Sequence, residues 1–394
     1  MSGHHAAPGI DDQPDTSRAA LQALAPDTLY CNVAGSGPTF PVAQDAAERA
    51  RRWLNEVGMF SHVGYDAYNE WLSQAREDLA TFIGDPGGAS HIALMTSATE
   101  GLNTLSLGLT IPPGSLIVTT AEEHGSALMP LHRRRERGDE LRILEYSDDR
   151  EFIIDLVRAL EDGARALVMS LVSCKSGAVL PVRAACAVAR QAGAVTIVDA
   201  AQALGQIPVD VKDLGADAVV TLGHKWMHGP LATGAIWVRD IDQFNVERLG
   251  WRSVVEGGTY TLQPDARRFE TGTIDAAAFV GLRQAIAVQR ALGPLVPSRI
   301  RDLRRQLFEQ IQALDLPVRS RPHDPTGIVV VEPRGGDAAG IVTGMWRDDR
   351  VVVKHLAERG VVPDGIRISF WALHTEGDIG LLSAALARQL AVTA

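Results

Sequence analysis

His224-Lys225, set between Gly223 and Trp226, and Asp199, with Gln202 three residues on, are the residues whose types and spacing best suit chemistry. Each group lies behind a short apolar run. A lysine amine forms a Schiff base with an aldehyde, and a buried aspartate keeps a pyridine nitrogen protonated. The two together suit pyridoxal phosphate, whose ring then draws electrons from the α-carbon of a bound amino acid. Lysine is scarce here: Lys175, Lys212, Lys225 and Lys354 are four of 38 basic residues, and arginine supplies the rest. A lysine beside a histidine in such a chain reads as chosen for its amine. The plainer alternative, a helix-end lysine satisfying backbone carbonyls, loses weight beside Asp199 and the motifs that follow.

Thr96-Ser97-Ala98-Thr99-Glu100-Gly101 falls between a strand pattern and a helix pattern. Free N–H groups at a helix start, with hydroxyls nearby, suit a phosphate; the same residues also read as an N-cap box with Thr99 as the cap. His124, in Glu122-Glu123-His124, is placed to stack on a pyridine ring and relay protons. Asp199 at a buried strand end needs a cation, and Gln202 is expected to donate to a ring hydroxyl. Arg367, flanked by apolar residues in Gly365-Ile366-Arg367-Ile368, offers a fork for a substrate α-carboxylate. Ala34 and Gly35, in the small-residue run ending at Pro38, are expected at the substrate pocket, as are Phe60–Tyr65 and Trp251–Tyr260.

These residues must be positioned by elements, and the pattern predicts an α/β fold. A short helix is expected at Arg18–Leu24 and a strand at Leu29–Asn32, then helices over Val42–Val57 and Tyr65–Ile83. From His91 to Val238 short apolar strands alternate with helices, which indicates a mostly parallel sheet covered on both faces, with ligands at the strands' carboxyl ends. A helix at Ala276–Leu292 is interrupted by Pro294 and Pro297, and another follows from Arg299 to Leu314. Strands at Gly327–Glu332, Val351–Val353 and Ile366–Phe370, and a helix at Glu376–Leu390, indicate a smaller α+β unit. The domains expected are a flexible tail at 1–17, an N-terminal segment at 18–40 packing with the small domain and active site, a large cofactor domain at 41–275 and a small one at 276–394.

Length and composition bound the function. The chain has 394 residues, 46% hydrophobic and 22% charged, with a net charge of −10 that argues against a nucleic-acid surface. Arg133-Arg134-Arg135 and Arg304-Arg305 have acidic residues nearby and read as solvated helix faces. Cys31, Cys174 and Cys186 form neither a disulfide framework nor a zinc pattern, and the pair His4-His5 is weak grounds for a metal, so none is expected. No apolar run approaches a membrane span and no signal-peptide order is present. A cytoplasmic enzyme is the expectation.

Taken together, the motifs resemble those of fold-type I pyridoxal-phosphate enzymes, in the superfamily of class V aminotransferases and cysteine desulfurases. Ser97-Ala98-Thr99-Glu100 resembles the family's phosphate loop, His124 its ring-stacking histidine and Asp199 with Gln202 its Asp-x-x-Gln pair. His224-Lys225 resembles the Schiff-base motif and Arg367 the carboxylate-binding arginine. Phe269-Glu270-Thr271-Gly272-Thr273 resembles the segment that reaches the partner subunit's phosphate. The resemblance implies a mostly parallel seven-stranded sheet in the large domain and a homodimer with shared active sites. It departs at three points. No cysteine follows Cys186, so the desulfurases' loop nucleophile is missing; Cys174 stands where many relatives have an asparagine near the ring hydroxyl; and Leu222 replaces a common phosphate-binding serine. His228 reads as a turn residue.

The resemblance extends to cysteine lyases and hercynylcysteine sulfoxide lyases, which implies β-elimination from an S-substituted cysteine. An Arg- and Ala-rich, Lys-poor composition fits actinomycete-type secondary metabolism, with lincosamide-pathway enzymes among the candidates. Transamination, epimerisation and decarboxylating oxidative deamination are the alternatives, since each begins at the same α-carbon. A catalytically silent pyridoxal-binding protein is the reading from another class, and the intact Lys225 argues against it.

Overall fold

The computed structural model describes residues 6–17, 27–250, 254–256, 259–334, 337–358 and 362–393. The helix expected at Arg18–Leu24, the His4-His5 pair and parts of Trp251–Tyr260 lie outside these residues. After β1 (Leu29–Tyr30), helices α1 (Pro41–Val57) and α2 (His62–Phe82) lead into the alternating region. Its strands are β2 (Ile92–Met95), β3 (Leu116–Thr120), β4 (Glu140–Leu144), β5 (Ala164–Ser170), β6 (Val195–Asp199), β7 (Ala218–Leu222) and β8 (Gly234–Val238). The intervening helices are α3 (Ala98–Gly108), α4 (Gly125–Glu136), α5 (Asp149–Glu161), α6 (Val182–Gln191) and the single turn α7 (Val211–Leu214).

β2 to β8 form one seven-stranded sheet in the order β2-β8-β7-β6-β5-β3-β4. β8 runs against its neighbours β2 and β7, and the remaining pairs are parallel. Alternate residues of β5 enter different cores, Leu167 and Met169 on one face and Ala166 and Val168 on the other. That is the pattern of a sheet buried on both sides. The strand order reverses between β3 and β5, and a crevice opens at their carboxyl ends.

A hairpin of β9 (Val254–Glu256) and β10 (Thr259–Thr261) follows, then α8 (Ala276–Leu292) and α9 (Leu295–Ala313). Pro294 is the N-cap of α9 and Pro297 falls in its first turn, where an absent N–H costs nothing, so the two prolines start the helix instead of interrupting it. The last elements are β11 (Ile328–Val331), α10 (Ala338–Asp349), β12 (Val351–Val352), β13 (Lys354–Glu358), β14 (Val362–Ser369) and α11 (Glu376–Thr393). β14 lies between β11 and β13, antiparallel to both.

The N-terminal segment joins this smaller sheet before it reaches the crevice. β1 pairs in parallel with β12, and Ser369 donates its N–H to the Cys31 carbonyl at 2.7 Å. The chain then crosses to the loop after β7, where Gly37 N–H donates to His224 O at 2.8 Å. A Cβ at Gly37 would sit 2.2 Å from the Lys225 carbonyl oxygen, so only glycine permits this approach.

The two arginine clusters are not wholly solvated. Arg134 turns inward to Asp139 at 2.6 Å, and buried Arg304 donates to the carbonyls of Thr326 and Ile328. Each cluster spans a helix turn, so one member faces the interior while Arg133, Arg135 and Arg305 stay outside. Among the described residues no helix is long and apolar enough to cross a membrane.

Candidate active site

Lys225 lies in the loop after β7, and Asp199 is the last residue of β6, its neighbour in the sheet. Register therefore brings the two into one crevice, a cavity of about 370 Å³ that both line. Ala34 and Gly35 line it from the N-terminal segment, and Ser97, Ala98 and Thr99 from the start of α3. His124 enters after β3, Cys174 after β5, and Gln202, His224 and Arg367 complete the candidates. Thr273 does not line it. That residue lies in a separate surface pocket beside Met59, Phe60, His62 and Tyr65. The expected pocket segment Phe60–Tyr65 does not line the chain's own cavity, and no described residue of Trp251–Tyr260 does.

Electrostatics link the two central groups. Burial pushes the Asp199 carboxyl up, against Lys225, the N–H of Ala201 and His124, which pull it down. Ala201 N–H donates to Asp199 Oδ1 at 2.8 Å. Burial also lowers the Lys225 amine, opposed by Asp199 and Cys174 and reinforced by Arg367. A lysine nearer neutrality is the state an amine needs to act as nucleophile and base. Behind this pair, Glu123 is buried and accepts from Ser170 N–H and Oγ, both at 2.7 Å. Burial, with the Asp199 charge, pushes its carboxyl up to about 7.

The start of α3 is capped by Ser97, whose Oγ accepts from Glu100 N–H at 3.1 Å; the cap is not Thr99. Freed from that duty, Thr99 Oγ1 lies 2.8 Å from Ser126 Oγ, which is 2.9 Å from His124 Nδ1. Ser126 N–H also donates to that nitrogen at 3.1 Å, which leaves the proton of a neutral His124 ring on Nε2. Gln202 is already engaged: Nε2 donates to Ala34 O at 3.0 Å and Oε1 accepts from Trp226 Nε1 at 2.8 Å. It ties the N-terminal segment to the lysine loop.

Arg367 is buried, and burial lowers its guanidinium. Nη1 donates to Cys174 O at 3.2 Å, Nη2 reaches Asn32 Oδ1 at 3.4 Å, and Nε has no partner. Burial pushes the Cys174 thiol up to about 11, against Arg367, Lys225 and Lys175, so it is protonated near neutrality. His228 is held apart from the cavity chemistry. It donates from Nδ1 to Pro38 O at 2.8 Å and stacks on Phe40 at 4.8 Å.

Five further lining residues matter that the motifs did not announce: Ser126, Ser170, Lys175, Lys354 and Leu356. Ser170 ends strand β5 and Ser126 lies in the first turn of α4, two residues past His124. Lys354 and Leu356 come from β13, whose charged, alternating sequence gives little local signal. The cavity fits pyridoxal phosphate on its own chemistry. It offers a helix start with hydroxyls for an anion, a buried carboxylate facing inward and a depressed lysine. Arg367 Nε and His224 Nδ1 are buried atoms without partners.

The profile of the family described as aminotransferase class-V matches residues 30–382. A probable cysteine desulfurase 2 from Mycobacterium leprae (strain TN) is 30% identical over 359 residues, 82% of this chain and 81% of the relative. Isopenicillin N epimerase of Streptomyces clavuligerus is 30% identical over 394 residues, 92% of this chain and 95% of the relative. Among solved structures, the cystine C–S lyase C-DES in complex with its product cysteine persulfide is 25% identical, with a TM-score of 0.84, covering 92% of this chain and 98% of its own. A lysine-to-alanine mutant of C-DES, with glycine covalently linked to its PLP cofactor, gives a TM-score of 0.86 at 25% identity over 95% and 99%.

Proposed function

The chain belongs to the aminotransferase class-V family, whose cofactor is pyridoxal 5′-phosphate, and from that premise we propose that it is a carbon–sulfur β-lyase acting on an S-substituted cysteine. One observation carries the reading. Among the described residues the only sulfur lining the cavity is that of Cys174, a buried thiol held protonated, and the chain has no cysteine after Cys186. Attack on substrate sulfur by a loop thiolate therefore has no agent, which supports a reaction in which the sulfur leaves as the β-substituent. The likeness to C-DES supports this choice.

Bound pyridoxal phosphate supplies an electron sink for charge developing at the substrate α-carbon. The chain's residues do the rest. The start of α3, with Ser97 and Thr99, holds the phosphate, and Asp199 keeps a proton on the ring nitrogen. His124, its Nδ1 fixed by Ser126, would hold the ring. Arg367 binds the α-carboxylate and so leaves the Cα–H bond, not the carboxylate, set for cleavage. Lys225 Nζ takes that proton and returns one to the departing sulfur.

The cofactor segment at Thr273 lies with exposed Phe60 and Tyr65 in a patch away from the chain's own cavity. This supports a homodimer in which Thr273 serves the partner's site. A cytoplasmic role in secondary metabolism is part of the proposal. Epimerisation is the second reading, favoured by the Streptomyces epimerase that matches over 92% of this chain. Mass spectrometry of products from S-substituted cysteines, with no keto-acid acceptor, separates the two. Thiol, pyruvate and ammonia establish the lyase. A racemised amino acid with its sulfur retained overturns it in favour of the epimerase, and an aldehyde or keto acid with sulfur attached overturns it in favour of deamination or transamination.

A further inference from the structure

Three of the chain's four lysines, Lys175, Lys225 and Lys354, line one cavity. The fourth, Lys212, pairs with Asp85 at 2.8 Å elsewhere. Asp199 is the only carboxylate among the described lining residues. Two of the lysines are accounted for. Lys225 faces Asp199, and Lys175 Nζ donates to the Ala121 carbonyl at 2.9 Å. Lys354 has no bonding partner among the described residues.

Its position is set by the sheet. Lys354 on β13 stands directly opposite Arg367 on β14 in antiparallel register. Opposed residues of such a pair project from the same face with Cβ atoms about 5 Å apart, and like charges placed so are destabilising. The fold nevertheless keeps two cations there, with no described acidic side chain between them. The two differ in depth: Arg367 is buried beside Cys174 and Asn32, whereas Lys354 is exposed, at the mouth. Leu356, two positions along and so on the same face, lines the cavity with it.

We propose that Lys354 is a specificity residue that binds a second carboxylate at the far end of the substrate side chain, so that the enzyme takes amino acids with an acidic terminus. The inference rests on the reading of Arg367 as the α-carboxylate site. Arg367 holds one carboxylate in the interior, Leu356 covers a short methylene or thioether spacer, and Lys354 meets the second anion where the side chain emerges. An S-carboxyalkyl cysteine or a disulfide of two cysteines has this form.

The test is a binding titration of holoenzyme followed by cofactor absorbance, with L-2-aminoadipate and with L-norleucine, its counterpart ending in methyl. Neither carries a β-leaving group, so the result is independent of the lyase reading. Failure of that reading shows instead as an absence of thiol from every S-substituted cysteine. Wild type is expected to bind aminoadipate at least about tenfold more tightly, in line with one charge-assisted contact. Lys354→Met removes that preference and leaves norleucine affinity unchanged, and Lys354→Arg retains it. Lys354 is exposed, and unaltered cofactor absorbance in the variants reports an intact site. Equal affinity for the two ligands in wild type overturns the proposal. So does a Lys354→Met variant that weakens both ligands alike, because Lys354 then serves the α-carboxylate or the cofactor.

Discussion

Arg367 is a buried guanidinium whose contacts within the chain are long, at 3.2 and 3.4 Å, with Nε unbonded. A cation desolvated to this degree without a carboxylate is costly on its own and is stabilised when an anion arrives. The planar fork matters as much as the charge. Arg367→Lys keeps the charge and loses bidentate geometry, so KM for the amino acid should rise by at least about tenfold while the cofactor absorbance of the resting enzyme is unchanged. Steady-state kinetics with a parallel absorbance spectrum check both halves; cofactor loss in the variant would assign Arg367 to the cofactor instead. At this scale much was legible from short motifs. Asp199 and Arg367 could be picked out because their neighbours in sequence are apolar or small, Lys225 because lysine is scarce and this one follows His224, and His124 only through its place among the other motifs. Lys354 could not, because only its register opposite Arg367 gives it meaning, and register is a property of two strands. Gln202 was legible as a polar group at the site, but its bonds reach Ala34, 168 residues away, and Trp226, 24 residues away.

Between residue and molecule, the turn after Lys225 joins the N-terminal segment to the large sheet. His228 holds that joint, with a left-handed backbone (φ 53°), a bond to Pro38 O and a ring packed between Phe40 and Trp371. Burial pushes its imidazole down to about 4, against the hydrogen bond to Pro38. Its ordinary value is 6.5, so the folded chain keeps the ring neutral where the unfolded chain takes a proton. The stability it contributes is complete above pH 6.5 and is lost as pH falls towards 4, by up to about 3 kcal/mol. His228→Asn tolerates the left-handed backbone and cannot titrate there. Its melting temperature should therefore fall less than that of wild type between pH 6.5 and 4, whatever the offset between the two at neutral pH. Thermal melts across that range check the difference in slope. The elements themselves show which signals travel in sequence. The alternating strands and helices from β2 to β8 declare themselves by apolar runs and period. Helix α10 was missed because Gly340 and Gly344 depress its helical signal, although Asp337 caps it. Prolines 294 and 297 mislead in the other direction, since a residue that breaks a helix interior is welcome in a first turn.

Across the whole molecule, the exposed apolar surface near Thr273 supports the proposed homodimer. Phe60 is 81% exposed, and Val63 and Tyr65 stand beside it on α2, in the region that also holds Thr273. Single exposed apolar residues are ordinary, but a contiguous group next to a cofactor-type motif marks a contact surface. The local frame is rigid: Glu270 takes a bidentate bond from Arg76 on α2 and accepts from Leu94 N–H on β2. A buried ion pair of this kind fixes where the following residues, up to Thr273, emerge. In the proposed two-fold dimer the surface that one chain presents is received by the same surface of the other, and Thr273 of each chain would then serve its partner's site. Complementation tests this arrangement directly. Lys225→Ala and Thr273→Glu chains should each be inactive alone, the first for want of the amine and the second by repelling the phosphate. Unfolded and refolded together, half of the dimers are mixed, and one of the two sites in each then has an intact lysine from one chain and an intact threonine from the other. Turnover should recover to about a quarter of the wild-type value per chain. No recovery, with mixed dimers demonstrated by mass, would place Thr273 in the service of its own chain.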